Sequence, residues 1–115
     1  MRLKKLFRVK KSQDIESIIK TRNAVRNKYF KLYSRKNHEI PYFRFAVSVP
    51  KKYGNAVNRN KVKRQLRMIV SQQTIQSNID FFIIVNPEAR SCSYQTLKES
   101  LEQLLIKQNI IEVKK

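Results

Sequence analysis

The stretch IDFFIIV, residues 79–85, is apolar at every position but Asp80. A run of this kind suits a strand covered on both faces, so the rest of the chain has to supply elements above and below it. Amphipathic segments with helical spacing are the first candidates. Residues 12–21 open on Ser12 as an N-cap and bring Ile15, Ile18 and Ile19 onto one face of a short helix. Val62, Leu66, Ile69 and Val70 fall at i, i+4, i+7 and i+8 and predict a helix over roughly 56–73. Tyr94, Leu97, Leu101, Leu104 and Leu105 mark a last helix, capped by Ser93.

Two further segments alternate. In residues 29–33, Phe30 and Leu32 share one side and Tyr29, Lys31 and Tyr33 the other; Phe43, Phe45, Val47 and Val49 repeat the pattern. Residues 36–41 are then expected to turn an antiparallel hairpin, giving the order helix, strand, strand, helix, strand, helix. With no repeat, low-complexity tract or linker, residues 1–115 read as one domain, long enough for a single core.

Charge sits on this frame unevenly. Twenty-six Lys and Arg oppose eight Asp and Glu, a formal charge of +18. Residues 1–38 carry 13 basic residues and two acids, residues 40–79 carry eight and none, and the part from Phe81 onward carries five against four. With 41% hydrophobic residues the chain can still bury a core. Self-repulsion on this scale points to a polyanionic partner, and nucleic acid fits best because phosphate neutralisation releases counterions. A membrane is more often met by one basic helix or tail, so no membrane partner is expected. A lone Cys92 and a lone His38 form neither a disulfide nor a usual zinc site, and no apolar run approaches the roughly 20 residues of a membrane span. No signal-peptide block follows the basic start, and the reading is a cytoplasmic protein.

Catalytic chemistry is thin. The acids Asp14, Glu16, Glu39, Asp80, Glu88, Glu99, Glu102 and Glu112 show no metal-ligand spacing, His38 falls in the expected turn, and Cys92 has no histidine near it in sequence. A single glycine excludes phosphate-cradling glycine loops. No bound cofactor is expected. A metal-dependent nuclease built on Asp14, Glu16 and His38 is a weak alternative, and a small ribosomal or ribosome-assembly protein a stronger one. Lys28, Tyr29, Lys31, Tyr33 and Arg35 interleave basic and aromatic groups, a pattern that can hold phosphates and stack unpaired bases.

The most informative run is KKYGNAVNRNKVKRQLR, residues 51–67, with seven basic residues, no acid and the only glycine. A merely solvated face usually mixes signs, so this one reads as a phosphate-binding surface. Asn60, Arg64 and Arg67 project away from the apolar stripe, flanked by Lys61 and Lys63. Arg59 falls near the stripe and stays solvated only if the first turn overhangs the core edge.

In residue order the run closely resembles the signature of the bacterial ribonuclease P protein subunit: a Lys-Lys pair, a Gly-Asn-Ala-Val turn, an Arg-Asn-Arg triplet and a Lys-Arg-x-x-Arg tail. FRVKK at 7–11, the helix led by Asp14, the strands carrying Phe30/Tyr33 and 43–49, and the apolar strand near Ile83 extend the resemblance along nearly the whole chain. It implies an α/β (α+β) two-layer sandwich: about four strands in a mixed sheet, three helices, and an unusual left-handed βαβ crossover, similar to domain 2 of ribosomal protein S5. It further implies a normally monomeric subunit that binds ribonuclease P RNA and the 5′ leader of precursor tRNA, while the RNA performs hydrolysis with magnesium. Carried over by position, Lys51, Lys52, Asn55, Arg59, Asn60, Lys61, Lys63, Arg64 and Arg67 would face the catalytic RNA. Phe7, Arg8, Lys11, Ile15, Ile19, Phe30, Lys31 and Tyr33 would line the leader cleft. The chain departs from the family pattern at Lys61 (second arginine of the triplet), Ile15 and Ile19 (commonly aromatic), Arg22 (usually glycine) and Pro50 (usually serine).

Overall fold

A computed structural model describes residues 12–111, and the expectations resting on Phe7, Arg8 and Lys11 lie outside them. In chain order the elements are α1 (Ser12–Lys20), β1 (Ala24–Arg26), β2 (Phe30–Lys36), β3 (Phe43–Ser48), α2 (Ala56–Ser71), β4 (Ile79–Val85) and α3 (Tyr94–Lys107). Short 3-10 turns, Lys51–Tyr53 and Pro87–Ser91, follow β3 and β4. The strands form one mixed sheet in the order β1-β2-β4-β3.

β4 is central, as its apolar run requires. It pairs antiparallel with β2, Leu32 opposite Ile83, and parallel with β3, Phe45 opposite Phe81. Alternation divides its side chains between two layers. Phe81, Ile83 and Val85 join Phe30, Leu32 and Phe45 beneath α2 and α3, where Phe45 and Phe81 stack with centroids 5.4 Å apart. Phe82 and Ile84 face the other way, onto Ile18 and Ile15 of α1 with Tyr33 and Ala46. The predicted stripe of α2 is buried in full: Val62, Leu66, Ile69 and Val70 are each at most 1% exposed. Burying each such side chain contributes about 1.5–3 kcal/mol, which fixes the helix against the sheet. Ser93 caps α3 by accepting from the Thr96 amide, as its position predicts.

The structure departs from expectation in the pairing of β2 and β3, in an additional strand and in the end of α2. Residues 36–41 do not turn a hairpin, because β2 and β3 are not neighbours: β4 lies between them. A strand apolar on both faces wins the central position, and each alternating strand takes one of its edges. The chain also contains β1, three residues pairing Ala24–Arg26 with β2, which is too short to show a period. α2 ends at Ser71, two residues before the expected boundary.

Arg22 has φ 55°, in the left-handed region, with its amide donating to the Ile19 carbonyl at 3.0 Å. This is the helix-ending conformation that glycine adopts without steric cost. The arginine therefore holds a backbone angle unfavourable by about 1 kcal/mol for a residue with a Cβ.

Candidate nucleic-acid interface

The 51–67 block folds as a turn and a helix start held from below. Tyr53, 5% exposed, anchors the 3-10 turn in the core and leaves Lys51 and Lys52 in solvent. Gly54 follows with φ 156°, a backbone angle that residues with a Cβ rarely adopt, and a Cβ there would lie 3.2 Å from the Asn58 side chain, so the turn favours glycine on both counts. Asn55 is the N-cap of α2, its side chain accepting from the Asn58 amide at 2.9 Å. That bond removes one of the orphan amides of the first turn. No acid lies in the first turn of α2, so the positive end of the helix dipole adds to the basic side chains.

Above the buried stripe, Val57, Asn60, Lys63, Arg64 and Arg67 line one shallow depression. Lys61 is exposed but sits about 160° round the helix axis from Lys63, on the other flank. Arg59 is half-buried, and its Nε is buried without a hydrogen-bond partner among the described residues. The sequence placed Arg59 near the stripe; the helix geometry does bring it partly under cover. Val57 was not among the residues singled out, yet it is 72% exposed and lines the same depression as the basic side chains.

The opposite sheet face carries the second set. Lys31 and Tyr33 alternate outward on β2, and the Lys31 Nζ lies 4.9 Å from the centre of the Tyr33 ring. Ile15 is half-buried against this face, while Ile19 is 36% exposed. Phe30 does not belong here. Its side chain is fully buried on the α2/α3 side, because its place on β2 is one residue out of phase with Lys31 and Tyr33.

A group the sequence reading passed over lies at the far end of the same face. Asp80, fully buried, accepts from Arg35 Nε and Nη2 (3.1 and 2.9 Å), from Arg44 Nε and Nη2 (3.0 and 2.9 Å), and from Asn37 Nδ2 (3.0 Å). Burial pushes its carboxyl up, but the hydrogen bonds from Arg44, Asn37 and Arg35 outweigh burial and hold it below the ordinary carboxylate value. The Asp80 bonds in turn raise Arg44. The available signal was the acid itself: a carboxylate inside a two-sided apolar strand needs cationic partners. Asp14 of α1 completes the cluster, 3.9 Å from Arg35 and 3.7 Å from Arg44.

His38 is exposed in the connection from β2 to β3, and Cys92 is half-buried with Sγ 4.0 Å from the Glu88 carbonyl. Among the described residues no three His, Cys, Asp or Glu side chains are grouped to hold a metal ion. None of the described helices is long and apolar enough to cross a membrane.

Comparison with known proteins identifies the family. The ribonuclease P family model matches residues 3–109. The ribonuclease P protein component of Acholeplasma laidlawii is 38% identical over 112 residues, covering 96% of each chain. Among solved structures, the RNase P protein of Staphylococcus aureus superposes with a TM-score of 0.85 at 35% identity, covering 92% of this chain and 98% of that one. The RNase P protein of Thermotoga maritima gives 0.79 at 29% identity, with the same coverage. On sequence and fold together, the chain belongs to the bacterial ribonuclease P protein family.

Proposed function

We propose that this chain, as a single domain and a monomer when free, acts in the cytoplasm as the protein subunit of ribonuclease P. It binds the catalytic RNA through the 51–67 block and the 5′ leader of precursor tRNA through the sheet face beside α1. The RNA, with magnesium ions, performs the hydrolysis that removes the leader. The chain itself is noncatalytic; it raises substrate affinity and lowers repulsion between two RNAs. The observation that carries this reading is the separation of the two basic surfaces. Arg64, Lys63, Asn60 and Arg67 open outward from α2 on one side of the sheet, and Lys31 and Tyr33 lie on the other. A protein so arranged can hold two RNA strands without either blocking the other.

Reconstitution tests it. The chain is expected to stimulate leader cleavage by a cognate ribonuclease P RNA at low magnesium, and no stimulation would refute the reading. Replacing Arg64 and Arg67 with alanine is expected to leave the domain folded, since neither is in the buried core. Binding to the catalytic RNA should then lose salt dependence, the log-log slope falling by roughly 0.7 to 0.9 for each phosphate contact removed. An unchanged slope would put the contact elsewhere.

A further inference from the structure

We infer that Arg35 and Arg44 form a phosphate site on the sheet face of Lys31 and Tyr33, that Asp14 of α1 covers it in the free protein, and that a phosphate of a single-stranded RNA displaces Asp14 on binding. This rests on the leader-binding reading above and adds a residue set and a competitor to it.

The charge count is the starting point. Asp80 engages Nε and Nη2 of both arginines, so two cations surround one fully buried acid and one positive charge is left over. Asp14 faces that excess. Its oxygens lie 3.9 Å from Arg35 Nη2 and 3.7 Å from Arg44 Nη1, beyond hydrogen-bond distance, and its side chain is 30% exposed. The arginine side chains keep 22% and 19% of their own exposure. A carboxylate fixed to a helix thus neutralises the pair without bonding it. A phosphodiester brings the same single charge and two free oxygens, and an unanchored one can close to the roughly 2.7–2.9 Å of a charge-assisted hydrogen bond.

Position identifies the ligand as a strand. Lys31, Tyr33 and Arg35 alternate on one face of β2, and four residues of strand put Lys31 about 13 Å from Arg35. One phosphate cannot meet both. An oligonucleotide running along β2, with Tyr33 between the two cationic positions, can.

The test is binding of a labelled oligouridylate to the full chain across a salt series, followed by fluorescence anisotropy. Asp14→Asn is expected to bind two- to fivefold tighter, about what an exposed ion pair is worth, with a slope steeper by about 0.7. Glu16→Gln makes the same charge change at an exposed position of α1 and is expected to shift binding less. Arg35→Lys keeps the charge beside Asp80 but loses the planar fork; combined with Asp14→Asn it is expected to abolish the gain, with urea midpoints showing that each variant is folded. A wild-type chain that binds the strand while Asp14→Asn matches Glu16→Gln overturns this inference alone, as does a gain that survives Arg35→Lys. A wild-type chain that binds catalytic RNA but no strand overturns the leader reading and this inference with it.

Discussion

Asp80→Asn tests the buried charge at the end of the sheet. It keeps the size of the side chain and removes its charge. Five hydrogen bonds of 2.9–3.1 Å converge on this carboxylate, four of them from guanidinium groups. Bonds to charged groups contribute about 1.5–3 kcal/mol each, and the cost of burying the ions offsets most of that total. Removing one partner is different, because Arg35 and Arg44 would keep their half-buried charges with only the more distant Asp14, at 3.7–3.9 Å and beyond hydrogen-bond reach, to answer them. The expected loss is about 3–5 kcal/mol, a large share of the roughly 5–15 kcal/mol that holds a domain of this size together. In urea, with a slope of about 2 kcal/mol per molar, the midpoint should fall by about 2 M.

The pH dependence provides the second readout. The folded carboxyl lies below its ordinary value because Arg44, Asn37 and Arg35 outweigh burial. A lowered folded value means the stabilisation is fully present above about pH 4 and lost as pH falls through the folded value. The gap between wild type and Asp80→Asn should accordingly narrow on acidification below about pH 4. A loss under about 1 kcal/mol at neutral pH, or a gap that stays constant into acid, would refute the assignment of Asp80 as the charged centre of this end of the sheet.

Other substitutions separate backbone, core and cleft. Arg22→Gly relieves the positive φ at the end of α1 and should raise the urea-derived stability by about 0.5–1 kcal/mol; a decrease would mean the arginine side chain contributes more than its backbone angle costs. Phe30→Ala should destabilise by about 3–5 kcal/mol, while Tyr33→Ala should lose less stability but weaken leader binding by about 1–3 kcal/mol, the worth of one base stacked on an aromatic ring. Anisotropy and denaturation on the same samples decide this pair, and the reverse order would return Phe30 to the cleft.

Much of this was legible because it depends on local period. The α2 stripe, the α3 stripe with its Ser93 cap, and the faces of β2 all follow from spacing, and the structure has them where spacing puts them. Partner choice is not local. Nothing in residues 29–49 says that a strand thirty residues later will separate β2 from β3, so the hairpin expectation had a sound pattern and the wrong pairing. Phe30 shows the same limit at one residue: resemblance placed it in the cleft, and its phase on the strand put it in the core. Asp80 was readable in principle, as the single acid of an apolar strand, but its partners Arg35, Asn37 and Arg44 come from two other segments and meet only in the folded sheet.

The central place of β4 also sets a schedule for synthesis. Both of its neighbours, β2 and β3, emerge from the ribosome well before it, and in the folded sheet they do not pair with each other. At about 5–20 residues per second, the chain spends seconds with two unpaired strand edges and most of its positive charge already exposed. Closure then arrives late and over long sequence separations, the condition under which folding is slow. The nascent chain is therefore most open to capture by RNA while its sheet is still incomplete, and meeting a cognate RNA early would favour the folded form by mass action.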